Sequence, residues 1–244
     1  MHELLLRTWL RVARRTLLRV VGHALPEVCP ACGAIGSDLC RRCDQDLVRR
    51  GDPPCPRCGE PILATGVRCT EDHRALQRLA WHAAPWRYAG AGGVLVRRFK
   101  LDGDAAAGRF LVRAMADAAR LQAGPEWAGA VLAPVPLHHA RLRQRGFDQT
   151  AWLARRLAAG LGMRCCLGAL ARRRATPPQG DPRVGSREAN VAGAFVVRRP
   201  RAVRRRRVVL VDDVLTSGAT ARECARVLLA AGAREVALLT ACRS

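Results

Sequence analysis

The sequence predicts an α/β protein, a parallel sheet flanked by helices, with a small N-terminal metal-binding domain in front of it. Three observations predict this. From about residue 91 to the end, short apolar runs alternate with stretches of helical periodicity. One run, Val208-Val209-Leu210-Val211, is wholly apolar and mostly β-branched, as a strand covered on both faces must be. Upstream, seven of the 11 cysteines lie between Cys29 and Cys69, mostly in C-x-x-C pairs.

The 244 residues allow one full-sized domain and a small companion. With 49% hydrophobic and 25% charged residues, disorder of the whole chain is excluded. The 42 basic and 20 acidic residues leave a net charge of +22, which favours polyanionic partners: nucleic acid, phosphorylated ligands or anionic membrane. Lys100 is the only lysine, and the arginine excess sits in an Ala-rich chain, so composition contributes to it. Aromatic residues make up 4%, which leaves few stacking platforms for single-stranded bases.

Residues 1–25 read as an amphipathic helix stopped near Pro26. Arg7, Arg11, Arg14, Arg15 and Arg19 share one face, and Leu5, Leu6, Trp9, Val12, Leu17 and Val20 lie mostly away from it. A docking helix with a solvated arginine face, a membrane-surface helix and a DNA contact all fit that pattern. No apolar run of about 20 residues occurs, so no transmembrane helix is expected. A secretory signal would need an uninterrupted apolar stretch and a small-residue cleavage site, and neither is present. A cytoplasmic location is therefore expected.

Residues 26–75 are cysteine-rich and too polar for a core of their own. Residues 76–90, with Trp81, Trp86 and Tyr88, form a linker or first strand. Strands are expected over 130–135, 165–170, 194–197, 208–211 and 235–240. Helices are expected over 149–161, ending at Gly162, and over 219–231, ending at Gly232. The domain boundaries follow: 1–25 helix, 26–75 cysteine-rich, 76–244 α/β.

A C-x-x-C turn places two thiolates on one side of a metal ion, and two such turns complete a tetrahedral Zn²⁺ shell. The first shell is expected from Cys29, Cys32, Cys40 and Cys43. The second is expected from Cys55, Cys58 and Cys69, completed by His73 or by Asp72. Interleaved pairing of the knuckles is also compatible with the spacing. Four filled positions leave none for water, so one or two such ions would be structural, supplying folding energy that a small core cannot. Cys165, Cys166, Cys224 and Cys242 read as buried structural thiols.

The run from Val208 to Thr220 carries the chemistry. An apolar strand ends in Asp212-Asp213, and Thr216, Ser217 and Gly218 then enter a helix. In an open parallel sheet, ligands sit beyond the carboxyl ends of the strands. A Ser/Thr/Gly loop entering a helix offers N–H groups and hydroxyls to a phosphate, and two carboxylates beside it can bind vicinal hydroxyls. Phosphate at one end and a diol at the other describe a ribose 5-phosphate.

This run resembles the PRPP-binding signature of type I phosphoribosyltransferases. Phe99-Lys100-Leu101-Asp102-Gly103-Asp104, Pro134-Val135-Pro136, Arg145-Gly146-Phe147-Asp148-Gln149, Arg187-Glu188-Ala189-Asn190 and Ala194-Phe195 follow the order of the ComF/GntX family, whose members also carry an N-terminal double zinc ribbon. The resemblance covers residue 26 to the end. It implies the type I phosphoribosyltransferase fold. Two departures stand out: Asp148 where members usually have Asn, and Cys69 with no cysteine at position 72.

The resemblance implies that Asp212 and Asp213 bind the ribose hydroxyls with Mg²⁺ nearby. Val214 and Leu215 lie inside the PRPP-binding run, and Thr216, Ser217, Gly218, Ala219 and Thr220 would cradle the 5′-phosphate. The segment after Pro136 would be the pyrophosphate loop, with Arg143, Arg145 and Gly146 facing the diphosphate, and Lys100 a further phosphate contact. Residues 172–190 lie where these enzymes keep a mobile hood. The reaction implied is displacement at ribose C1 of PRPP by an unknown acceptor, with Asp212, Asp213, Lys100 and Arg145 as its catalytic residues. ComF-like proteins are linked to uptake and use of external DNA in natural transformation. This implies single-stranded DNA and a DNA-uptake helicase or DNA-processing protein as partners. A silent phosphoribosyltransferase-fold scaffold that binds DNA and protein partners is the competing reading, and a regulatory homologue that binds nucleotide without turnover is a third.

Overall fold

In the computed structural model, the described residues are 28–36, 38–49, 55, 57, 58, 60, 69, 73, 76–139, 142, 143, 146–174 and 187–244. The expected amphipathic helix over 1–25 lies outside them. In chain order the elements are α1 (Arg41–Gln45), β1 (His82–Ala83), β2 (Trp86–Arg87), α2 (Gly90–Asp102), α3 (Ala105–Gln122), a 3-10 turn (Pro125–Trp127), β3 (Val131–Pro134) and α4 (Gln149–Leu161). There follow β4 (Arg164–Cys165), β5 (Leu170–Arg172), α5 (Arg187–Val191), β6 (Phe195–Val197), α6 (Pro200–Val203), β7 (Arg207–Leu215), α7 (Ala219–Ala230) and β8 (Glu235–Arg243).

The main sheet has the order β1-β8-β7-β3-β4, with β2 also on β8, and every pairing in it is parallel. The expected parallel sheet flanked by helices is present. Its two central strands feed two separate cores, because side chains alternate across a sheet. Val209, Val211, Ala237 and Leu239 join one core with α2, α3 and α4. Val208, Leu210, Val236 and Leu238 join the other with α7 and β6. Leu132, Leu210 and Leu238 are at most 1% exposed, and burying each contributes about 2 kcal/mol.

Among the described residues, the cysteine-rich segment packs into the cores of the sheet and forms none of its own. Cys29, Ala31, Cys43 and Leu47 pack into the first core, and Cys55, Cys58, Leu76 and Leu79 into the second. The segment therefore straddles the β1/β2 edge of the sheet and covers an edge that would otherwise be open to pairing. Gly90, at φ +50, makes that docking possible: a Cβ there would lie 2.3 Å from the Asp46 carbonyl oxygen.

Helices α2 and α3 are absent from the sequence reading. Gly90, Gly92 and Gly93 and a run of alanines blur their apolar stripe. Tertiary packing and capping make them helical: Phe99 and Leu111 are fully buried, and the Asp104 side chain accepts from the N–H groups of Ala106 and Ala107. The region 165–170 also differs from expectation, since it is not one strand. β4 ends at Cys165, Gly168 turns the chain at φ +75, and β5 leaves the sheet to pair antiparallel with β6. Both central strands run further than expected. β7 continues past the acid pair to Leu215 and β8 to Arg243, because each is the other's partner as far as Leu215↔Arg243.

Candidate functional site

Two clusters of soft ligands form at the sheet edge. The ligand atoms of Cys29, Cys32, Cys40 and Cys43 all lie within 4.8 Å of one another, as do those of Cys55, Cys58, Cys69 and His73. Cys32 and Cys40 Sγ are 3.6 Å apart, Cys58 and Cys69 Sγ 3.3 Å, and His73 Nε2 is 3.3 Å from Cys58 Sγ. A tetrahedral Zn²⁺ with bonds of about 2.3 Å has ligand–ligand edges of about 3.8 Å, so both sets fit the ion. The knuckles pair in sequence rather than interleaved, and His73 completes the second set; Asp72 lies outside the described residues. Against the upward push of burial, backbone N–H groups of Cys40, Cys32 and Ala31 lower the Cys29 thiol to about 6, so it is a ready thiolate.

Ribbon and body are tied by polar contacts. Arg113 pairs with Asp38 at 2.9 Å. The wholly buried Glu60 accepts from Arg87 at 2.6 Å and lies 4.0 Å from the Arg243 guanidinium. His82, also buried, meets Thr240 Oγ1 at 2.8 Å, and Thr240 gives its one hydroxyl proton to the Cys242 carbonyl. His82 Nε2 is therefore the donor of that bond.

At the carboxyl end of β7 the two acids turn to opposite faces. Asp213 faces the α2/α4 side and is nearly buried. Its Oδ2 is 2.8 Å from Lys100 Nζ and accepts from Gln149 Nε2 at 3.3 Å. Asp212 lies in register with Thr240 on the other face, and its Oδ1 accepts the Asp213 N–H at 2.8 Å. Burial first, and the Asp213 carboxylate second, push the Asp212 carboxyl well above the ordinary carboxylate range; Lys100 and Arg172 pull the other way. Beneath it, burial and the Asp212 charge raise the Cys224 thiol well above its usual value, so that thiol is inert.

Beyond Leu215, Thr216 and Ser217 are partly exposed and Gly218 takes the left-handed conformation at φ +73. Gly218 is the N-cap of α7, so the chain enters that helix with its first N–H groups turned toward the strand end. Arg222 fixes the loop by donating to the Ser217 carbonyl at 2.8 Å. This arrangement can accept an anion at the helix start and a polyol against the acids.

The expected residues fall as follows. Asp212, Asp213, Lys100 and the run 214–220 come together. Arg143 is exposed in the segment after Pro136, and Arg145 lies outside the described residues. The hood positions 175–186 also lie outside them. Of the range 172–190, residues 172–174 and 187–190 are described; there Arg174 donates to the carbonyls of Asn190 and Ala192, and close by Glu223 accepts the Gly193 N–H. Asp148 is the N-cap of α4, accepting from the Ala151 N–H at 2.9 Å, a role Asn performs equally well. Cys224 and Cys242 are buried as expected, whereas Cys165 and Cys166 are only partly buried at the sheet edge. Gln149 and Arg172 were not singled out as site residues. Gln149 stands in the Arg145–Gln149 motif without a role of its own, and Arg172 is marked only as the first residue of the expected hood range.

Comparison with known proteins agrees with this architecture. The double zinc ribbon domain family matches residues 20–72, and the phosphoribosyl transferase domain family matches residues 150–244. The chain is 38% identical over 110 residues to the DNA utilization protein YhgH of Escherichia coli, covering 45% of this chain and 48% of that protein. It is 37% identical over 110 residues to YhgH of Salmonella typhi, with the same coverage of 45% and 48%. It is 32% identical over 154 residues to Competence protein F of Haemophilus influenzae, covering 59% and 64%. The chain thus spans about half the length of the YhgH proteins it matches. Among solved structures, the allosteric regulatory enzyme of purine biosynthesis is 26% identical, with a TM-score of 0.36 over 55% of this chain and 25% of that one. Glutamine PRPP amidotransferase from B. subtilis is 24% identical, with a TM-score of 0.34 over 59% of this chain and 26% of that one. No helix among the described residues is long and apolar enough to cross a membrane. A zinc ribbon and a phosphoribosyltransferase domain on one chain, in this order and with relatives named for DNA utilization and competence, support the ComF family.

Proposed function

We propose that the chain binds Mg²⁺-PRPP at the carboxyl end of the sheet and works in the uptake or use of external DNA. The observation that carries the reading is the continuity of β7, Gly218 and α7. One strand end presents Asp212 and Asp213, and five residues after Asp213 the left-handed Gly218 starts a helix. A ribose 5-phosphate needs those two features side by side. The second half rests on the relatives, which are named for DNA utilization and competence.

In this reading, Thr216 to Thr220 hold the 5′-phosphate through N–H groups and hydroxyls. Asp212, which retains its proton more readily than an ordinary carboxyl, donates to one ribose hydroxyl and leaves Asp213 as the anionic partner of the pair. Lys100 and Gln149 hold the Asp213 carboxylate in place. Arg172, at the end of β5, lies close enough to act on the Asp212 carboxyl and is a candidate for the diphosphate side. Mg²⁺ would neutralise the leaving diphosphate when bound with it. The zinc ribbon is structural in this reading and keeps the sheet edge closed.

The test is calorimetric titration of zinc-loaded protein with Mg²⁺-PRPP. Asp212→Asn combined with Asp213→Asn is expected to abolish the binding heat while the melting transition survives. Unchanged binding in that variant removes the ribose-site assignment. Pyrophosphate release with an acceptor would establish turnover. Binding without release under an acceptor screen would favour the scaffold reading.

A further inference from the structure

The opposite end of the sheet carries a feature that a ribose phosphate site does not use. Seven of the ten residues from Arg198 to Arg207 are arginines. The fold gathers them with one more. Arg205 N–H donates to the Gly232 carbonyl at 2.7 Å, and Arg234 N–H donates to the Arg206 carbonyl at 2.9 Å. The turn is anchored by Val203, which is fully buried. Arg207 is spent: it pairs with Glu235, donates to the Glu126 carbonyl and lies over Trp127. Arg199, Arg201, Arg204, Arg205 and Arg234 are exposed and Arg206 partly so, and among the described residues none of the six has an acidic partner.

We propose that this cluster is a binding site for the phosphate backbone of nucleic acid. It rests on the DNA-use half of the reading above and not on the ribose phosphate pocket. Arginine presents a planar fork of donors that matches phosphate oxygens. Arg205 is held at φ +58, a conformation that glycine adopts freely and a larger side chain resists, so the charge is kept against local backbone preference. The site is separate from the pocket. Asp213 lies six residues further along β7 than Arg207, about 20 Å at the rise of a strand.

The surroundings decide the kind of polyanion. A membrane-surface site sets large apolar side chains beside its basic ones. Among the described residues, the exposed large hydrophobic ones are Val28, Ile35, Val48, Tyr88, Leu101, Leu121 and Leu142, and none lies in this turn. Base stacking is equally unsupported. Trp127 and Phe195 are buried, and each already carries an arginine, Arg207 and Arg172. Contact through phosphates alone is sequence-independent and strongly salt-dependent.

The experiment is fluorescence anisotropy of a labelled single-stranded oligo-dT with the zinc-loaded full chain across a series of NaCl concentrations. Arg199→Gln, Arg201→Gln and Arg204→Gln together should reduce the slope of log K against log [salt] by about 2 and weaken binding at least ~10-fold at moderate salt. A control triple variant on the α2/α3/α4 face, Arg97→Gln, Arg109→Gln and Arg155→Gln, should change the slope by less than about 0.5. Equal losses in both, or none in the first, overturn the site and leave only diffuse charge. Arg205→Gly relieves the backbone, so it should keep or raise the melting temperature while lowering DNA affinity; unchanged affinity counts against the site. Stronger binding to phosphatidylserine vesicles than to DNA, lost in the first triple variant, replaces nucleic acid by lipid. Mg²⁺-PRPP titration of that variant should match wild type, which separates failure of this site from failure of the pocket.

Discussion

Lys100 Nζ lies 2.8 Å from Asp213 Oδ2, so the only lysine of the chain is committed to the second acid of the pair. The resemblance implied a phosphate contact for that lysine. Its position on α2, which the sequence did not reveal as a helix, brings it against the strand end. The two acids differ as a result. Asp213 has a cation and an amide beside it, while Asp212 faces the other core with a raised carboxyl.

Removing that cation should be costly. Lys100→Met leaves a carboxylate with 8% of its side chain exposed without its counter-charge. A loss of about 2 kcal/mol is expected, read from urea denaturation at neutral pH. Lys100→Arg should recover part of it. No change in the urea midpoint for Lys100→Met would mean that the pair is not maintained in solution.

The raised Asp212 carboxyl makes a pH prediction of definite sign. Its folded-state value lies above the unfolded 3.8. Between the two the native state holds a proton that the unfolded state has lost, so stability from this group is full below the unfolded value and is lost as pH rises through the folded one. Asp212→Asn should therefore melt above wild type at neutral and mildly alkaline pH, by about 2–4 °C, with the gain vanishing under acid conditions. A variant that melts below wild type throughout would contradict the raised carboxyl.

Elemental analysis should find two zinc ions per chain. His73→Ala should bind one, because His73 Nε2 lies 3.3 Å from Cys58 Sγ and 3.6 Å from Cys55 Sγ. Asp72→Ala should still bind two. The reverse result would exchange the ligand assignments. Chelation should lower the melting temperature, since both knuckles pack into the cores on the two faces of the sheet.

Glu60 is fully buried and accepts from Arg87 at 2.6 Å. Glu60→Ala removes the buried acceptor that Arg87 and Arg243 face at the ribbon–sheet junction, and a loss of about 2 kcal/mol is expected. Protease nicking within the ribbon should quicken in parallel. Glu60→Gln, which retains acceptors, should lose less.

Much of this molecule is written locally. A C-x-x-C turn needs only neighbouring residues to aim two thiolates at one point, so the seven cysteine ligands could be named from spacing, though not their pairing or the eighth ligand. The apolar run into Asp212-Asp213 and the step through Gly218 into a helix are equally local, because strand burial, a left-handed glycine and a helix start each have a short-range signal. The chain by itself therefore determined the sheet, the ribbon, and the acid pair followed by a Ser/Thr/Gly run into a helix. What it left open was whatever depends on distant partners. His73 completes the second ligand set because its ring reaches the Cys55 and Cys58 thiols. Helices α2 and α3 form because Phe99 and Leu111 have a core to fill, not because their glycine- and alanine-rich stretches are strongly patterned. Lys100, Gln149 and Arg172 join the site only when three separate elements pack around one strand end. Arg234 joins the basic turn only through the bond from its N–H to the Arg206 carbonyl. Local backbone preference and alternation act over a few residues and can be read along the chain, whereas counter-charges and covered faces are supplied across the fold, and packing alone decides them.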